Sequence, residues 1–238
     1  MSGRRSGSIT RRRPPFDVVV KVGGSLQRWR GLPGLVRWLA AIGREVRILV
    51  VPGGGRFANL VREEQRRHAL EEPIAHSMAL RAMDQYGLLL SSMAPPAVPV
   101  GTLAGAARAA AAGRVPILLA AHVMERDPSL ERSFRLTSDS IAAVLAGRVR
   151  SPRLILLKSV AGPGRPLRGP SEARRLADRG VVDPLFPDLL PTGAATWIVD
   201  VRRPDQRADL IAALKARTRP ASRRPLRPPV QRAPRAPM

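Results

Sequence analysis

Apolar residues along this chain fall into two rhythms. Short runs rich in Val, Ile and Leu at Val18–Val22, Val46–Val51, Val115–Ala120, Arg153–Lys158 and Thr196–Asp200 read as strands covered on both faces. Between them lie stretches with helical spacing. Leu35, Trp38, Leu39 and Ile42 mark a helix over Gly31–Gly43, and others run from Arg56 to Ala69, Pro73 to Met93 and Leu103 to Ala112. Thr137-Ser138-Asp139-Ser140 carries several N-cap residues ahead of Ile141–Ala146, and two more helices follow at Ser171–Arg179 and Asp205–Arg217. The segment Pro95–Pro99 reads as a break, residues 121–136 as a long polar loop, and Asp183–Pro191 as a proline-punctuated loop. Strand, helix, strand, glycine loop, helix at the start of the chain implies parallel strands joined by right-handed crossovers.

Two of the strands end in lysine next to glycine. Val18–Val22 contains Lys21 and runs into Gly23-Gly24-Ser25, and Arg153–Lys158 runs into Ser159-Val160-Ala161-Gly162. A third strand exit is Pro52-Gly53-Gly54-Gly55, directly before a helix. Glycine removes the side chain, so backbone N–H groups can approach an anion closely. Strand ends are where open α/β sheets bind ligands. Each motif taken alone is equally an ordinary turn, and Asp139 alone is equally a helix cap.

Charge adds to this picture. The chain has 238 residues, 41 Lys+Arg, 18 Asp+Glu and a formal net charge of +23. Residues 1–15 and 215–238 hold thirteen of the basic residues and no acid, which leaves 28 basic against 18 acidic in between. These ends are rich in Arg, Pro and Ser and poor in large apolar residues, so they are expected to be a disordered arm (1–15) and tail (218–238) around one domain (16–217). A weak, salt-sensitive hold on nucleic acid through them is the less favoured reading, since neither end carries an aromatic residue for stacking. Only three lysines occur, Lys21, Lys158 and Lys215, so two of three stand at glycine-flanked strand ends. A compact ammonium on a flexible stem follows a moving phosphate better than a planar guanidinium does.

The composition also excludes several chemistries. Without cysteine there are no disulfides and no thiolate metal sites, which fits a reducing, cytoplasmic setting. No apolar run approaches the ~18 residues that span a bilayer. There is no H-E-x-x-H, no GxSxG and no GxxxxGK[ST], so zincin, serine-hydrolase and Walker-type readings fall away.

Taken in order, Lys21-Val22-Gly23-Gly24-Ser25, Pro52-Gly53-Gly54-Gly55, Thr137-Ser138-Asp139-Ser140 and Lys158-Ser159-Val160-Ala161-Gly162 resemble the motif set of the amino acid kinase superfamily over residues 16–217. Within it, the glycine loop continued by Arg56-Phe57, the helix from His76 through Asp84-Gln85-Tyr86 and the Thr137–Asp139 segment look most like the kinases of methanofuran biosynthesis that act on an aminomethyl-furanmethyl phosphate. The resemblance implies a three-layer α/β/α sandwich with a mostly parallel central sheet. It further implies an ATP-dependent kinase of a small anionic acceptor, a phosphate monoester converted to a diphosphate, acting as a homo-oligomer. The alternatives within the superfamily are a uridylate-kinase-like activity or a nucleotide- or oxyanion-binding member without turnover.

The roles implied are these. Lys21, Asp139 and Lys158 are catalytic, with Asp139 between the two lysines. ATP is held by Lys21, Gly23, Gly24, Ser25, Lys158, Ser159 and Gly162. The acceptor is held by Gly53, Gly54, Gly55 and Arg56, with His76 and Asp84 as further pocket residues. Mg²⁺ is carried mainly by nucleotide phosphates and has no dedicated protein ligands. Arg135 stands where the furan-phosphate type leads us to expect an acidic or polar residue, and Ala161 precedes Gly162 where many members have Asp.

Overall fold

The computed structural model describes residues 13–127 and 131–215. Six strands form one sheet: β1 (Val18–Val22), β2 (Ile48–Pro52), β3 (Ala97–Val100), β4 (Val115–Leu118), β5 (Arg153–Lys158) and β6 (Ala195–Asp200). Their order is β3-β4-β2-β1-β5-β6, and every pairing is parallel. The helices are α1 (Leu32–Ile42), α2 (Gly55–His68), α3 (Glu72–Ser91), α4 (Leu103–Ala111), α5 (Ala121–Glu125), α6 (Ser138–Arg148), α7 (Pro170–Asp178) and α8 (Pro204–Lys215), with a 3₁₀ turn at Gly24–Arg28.

Side-chain parity sorts the strands between two cores. Val19, Leu49, Val51, Leu154 and Leu156 pack with Ala142 and Leu145 of α6, Ala173 of α7 and Ala106 of α4. Val18, Val20, Val22, Ile48, Val50, Ile155 and Leu157 pack on the opposite face with Leu35 and Leu39 of α1, Tyr86 of α3 and Leu210 of α8. This is the three-layer sandwich expected. Lys21 shares parity with Val19, and Lys158 with Leu154 and Leu156, so both lysines face α6.

Two sequence readings change. Pro95–Pro99, read as a break, overlaps β3, an edge strand whose Pro99 stands opposite Ile117. Proline is tolerated there because an edge strand has no second neighbour to receive its missing N–H. The long loop at 121–136 begins with α5, whose first amide donates to Asp84 Oδ1 at 3.2 Å. The last helix runs Pro204–Lys215; its expected final residues, 216–217, lie outside the described residues, as do the tail 218–238 and residues 1–12 of the expected N-terminal arm.

The chain turns from one half of the sheet to the other at β1. β2 lies on one side of it and β5, reached after β4, on the other. The crevice beyond the carboxyl ends of β1, β2 and β5 is therefore the topological switch point. One core side chain stands out: the Tyr86 hydroxyl is buried without a hydrogen-bond partner among the described residues, and burial pushes its pKa up. Tyr86→Phe removes that unpaired group with little change of shape, so we predict an unfolding free energy raised by about 1 kcal/mol in urea titration. A clear loss of stability would show that the hydroxyl has a partner in solution.

Candidate active site

β1 and β5 are neighbours, with Lys21 in register with Leu156. Each delivers an ammonium toward α6, and α6 delivers Asp139 from its first turn. Lys158 Nζ donates to Asp139 Oδ2 at 2.6 Å, and Lys21 Nζ lies 2.8 Å from Oδ1. The second contact is a close charge pair. All three side chains are largely withdrawn from solvent, at 5%, 5% and 15% exposure for Lys21, Asp139 and Lys158.

Two opposing forces act on each titrating member. Burial pushes the Asp139 carboxyl up, but the ammoniums of Lys21 and Lys158 outweigh it and hold the group below the ordinary carboxylate range. Burial, then repulsion from Lys21, lowers the Lys158 pKa, and Asp139 offsets only part of this. Within the triad itself two cations share one anion, with Asp183 a further carboxylate acting on Lys158 from outside it, and the two ammoniums suit an added anion such as a polyphosphate chain.

Backbone loops close over this centre. A Cβ on Gly24 would sit 2.3 Å from the Gly55 amide nitrogen, and one on Gly53 would sit 2.6 Å from that of Gly24. The loops after β1 and β2 thus touch main chain to main chain, and Gly55 adopts φ +56°, a left-handed conformation that favours glycine. The loop after β5 joins them: Ser159 Oγ donates to Ser25 Oγ at 2.7 Å, and Gly23 N–H donates to Leu157 C=O at 2.8 Å. Gly162 packs so tightly on β6 that a Cβ would fall 1.9 Å from Ile198 O, and Arg202 donates to Ser159 O at 2.5 Å.

Beside these loops opens a cleft of about 310 Å³. Gly24, Ser25, Gly54, Gly55, Arg56, His76, Thr137 and Ser138 line it, together with Arg28, Asn59, Arg62, Met83 and Phe134. Not all amides of the glycine loop face a ligand. Gly53 N–H is spent on Val22 O at 2.8 Å and Arg56 N–H on Gln27 Oε1 at 2.6 Å, which leaves those of Gly54 and Gly55. The guanidinium of Arg62 lies 5.1 Å from the centre of the Phe134 ring and donates to Asn59 Oδ1 at 3.1 Å. The His76 ring is buried, with Nδ1 donating to Ser133 O at 2.9 Å, and burial lowers its pKa. That fixes a neutral tautomer with a free lone pair on Nε2.

The structure therefore brings together Lys21, Asp139 and Lys158, and sets Gly54, Gly55, Arg56 and His76 around the neighbouring cleft. Asp84 stands elsewhere: it does not line the cleft, accepts from the first amide of α5, and burial raises its pKa. Arg135 likewise points away, 66% exposed and paired with Glu131 at 3.8 Å. Sequence reasoning missed Arg28, Asn59, Arg62 and Phe134. For two of them a signal exists, because Asn59 and Arg62 follow Arg56 at intervals of three along α2, which keeps them near one side of the helix. Phe134 and Arg28 have no such marker.

A profile of the amino acid kinase family matches residues 18–162. Among curated proteins, the [5-(aminomethyl)furan-3-yl]methyl phosphate kinase of Methanocaldococcus jannaschii is 27% identical over 201 residues, covering 81% of this chain and 92% of that protein. Among solved structures, uridylate kinase from Archaeoglobus fulgidus superposes with a TM-score of 0.63 at 17% identity, over 83% of this chain and 95% of that one. UMP kinase from Ureaplasma parvum gives 0.59 at 15% identity, over 82% and 94%. At such identities these two establish the shared fold.

The charge triad makes a prediction about stability. Asp139→Asn keeps the shape but leaves two buried ammoniums facing each other, so we predict a loss of about 3–5 kcal/mol in urea unfolding. The folded pKa of Asp139 lies below its unfolded value. Its contribution is thus present above the ordinary carboxylate range and disappears as pH falls through the lowered value. The wild-type chain should lose stability more steeply than the Asn variant on acidification below about pH 4.

Proposed function

The chain belongs to the amino acid kinase family, and from that premise we propose that it transfers the terminal phosphoryl group of ATP to a small phosphate monoester, forming a diphosphate. The observation that carries this reading is the pairing of a two-lysine, one-carboxylate triad with an adjoining cleft whose lining includes Arg28, Arg56 and Arg62 and, among the described residues, no carboxylate. Such a cleft suits an acceptor that is itself an anion. The named substrate of the Methanocaldococcus relative is a phosphate monoester, and a one-carbon-cofactor precursor of that type is the acceptor we favour.

In this reading Lys21 and Lys158 hold the phosphates of ATP, and Asp139 keeps the two ammoniums in place and apart. The Gly24 amide and the hydroxyls of Ser25 and Ser159 line the same approach, while Gly23, whose own amide is spent on Leu157 O, brings the loop in without a side chain and Gly162 places the β5 loop against β6. The Gly53–Gly55 loop, Arg56, Arg28 and Arg62 receive the acceptor phosphate, and His76 Nε2 takes a donor group on the acceptor body. An acceptor phosphate oxygen bonds to the γ-phosphorus as the bond from that phosphorus to the leaving ADP oxygen breaks. Charge is spread over the transferring oxygens, so fixed cations and amides supply most of the acceleration. Among the described residues no group of three or more His, Asp or Glu side chains is placed to hold a metal. Both Asp139 oxygens already face lysines, so a Mg²⁺ ion would ride on phosphate oxygens and neutralise their charge. Also among the described residues, no helix is long and apolar enough to cross a membrane, and we place the reaction in the cytoplasm.

Turnover with labelled ATP tests this directly. The panel should contain the aminomethyl-furanmethyl phosphate, UMP and the dephosphorylated forms of both. We expect a phosphorylated acceptor to be used and its dephosphorylated form to be inert. Lys21→Ala should cut kcat by roughly a hundredfold or more. Arg28→Ala should raise the acceptor KM by about tenfold while leaving the KM for ATP in place. Equal use of the dephosphorylated compounds would overturn the acceptor class.

A further inference from the structure

α6 carries Asp139, yet its N-cap residue, Thr137, makes no side-chain hydrogen bond to the first turn of its own helix. The acceptor comes from far along the chain. Asp183 Oδ2 accepts from Thr137 Oγ1 at 2.7 Å and from Ser140 N–H at 3.0 Å. Its Oδ1 accepts from Phe186 N–H at 2.9 Å and from the Ser140 hydroxyl. The carboxylate is buried, with the residue 7% exposed, and four donors satisfy it. An acid at a helix N-terminus is favoured by the exposed amides and by the helix dipole.

The same residue governs the other side of the site. Two positions before it, the carbonyl of Val181 accepts from Lys158 Nζ. Lys158 thus divides its ammonium between Asp139, set by the start of α6, and Val181 O, set by the loop that Asp183 ties to that start. The charged groups around Lys158 are Lys21 from β1, Asp139 from α6 and Asp183 from the loop, and the last of these favours the ammonium form.

We propose that Asp183 is a positioning residue for nucleotide binding: by pinning the 181–186 loop to the first turn of α6, it fixes where Asp139 and Val181 O hold the Lys158 ammonium. The proposal rests on the reading of Lys158 as a phosphate-binding group. Asp183 touches neither nucleotide nor acceptor in this account and acts through Lys158.

The test is the affinity of the full chain for Mg·ATP, measured by titration calorimetry for the wild type, Asp183→Asn, Lys158→Ala and the double variant, with folding checked by circular dichroism. Asp183→Asn should weaken binding by about tenfold, the scale of a lost hydrogen bond to a charged group. The double variant should bind no more weakly than Lys158→Ala alone, because the two act along one path. Loss of the nearby negative charge should also move the alkaline limb of ATP affinity to lower pH, since an ammonium with one less anion beside it gives up its proton sooner. Wild-type affinity and an unmoved limb in Asp183→Asn, or losses that simply add in the double variant, would reduce Asp183 to a structural cap and overturn the proposal. Should Asp183→Asn not fold, Ser140→Ala removes one donor to the same carboxylate and keeps the helix amide. It should weaken ATP about threefold in the wild type and not in Lys158→Ala, and unchanged affinity would count against the proposal equally. A wild-type chain that binds no Mg·ATP would overturn the nucleotide reading itself, a result distinct from either of these.

Discussion

The structure depends on one buried contact, the carboxylate of Asp139 held between the ammoniums of Lys21 and Lys158. Three charges withdrawn from water are costly unless they compensate one another, and here they do so incompletely. The anion lies against both ammoniums, which hold its pKa down, while Lys158 is left with a lowered pKa by burial and by Lys21. A centre of this kind contributes little to stability compared with an apolar cluster of the same size. Its physical sense is as a preformed place for negative charge, a cost of folding that binding recovers.

Much of the surrounding architecture can be understood as what is needed to hold that centre open. Adjacent parallel strands set the two lysines on one face of the sheet, and α6 packs on that face with its N-terminal turn toward the strand exits. The loops after β1 and β2 then meet backbone to backbone at Gly24, Gly53 and Gly55, where any side chain would force them apart. Asp183 joins the first turn of α6 to a loop distant in sequence, whose Val181, Val182 and Phe186 share the core on that face. The arginine-lined cleft sits alongside, so an anion in the cleft and an anion on the lysines would be neighbours.

Most of the sheet was legible in the sequence because buried parallel strands announce themselves as unbroken aliphatic runs, as at Val18–Val22 and Arg153–Lys158. The rarity of lysine among so many arginines pointed to Lys21 and Lys158, and the parity of their strands then sets both toward one helix. β3 escaped because Pro96 and Pro99 disguise an edge strand as a break, and α5 because a single helical turn inside a polar stretch has no period to detect. The glycine loop was legible as an anion-binding shape, yet Gln27 and Val22 occupy two of its amides, a long-range fact that no local motif carries. Asp84 shared a helix with His76 and was expected beside it in the pocket. Eight residues on, its side chain meets α5 instead. Asp183 lay in a proline-rich loop, and its partners at Thr137 and Ser140 become neighbours only when the chain has folded.

The most direct measurement of the central claim is a crystal structure of the full chain with Mg²⁺ and a non-hydrolysable ATP analogue. Phosphate oxygens are expected within about 3 Å of both Lys21 Nζ and Lys158 Nζ, with Asp139 still between the two ammoniums. A triphosphate bound elsewhere, with the Lys21–Asp139–Lys158 contact undisturbed and untouched, would contradict that claim.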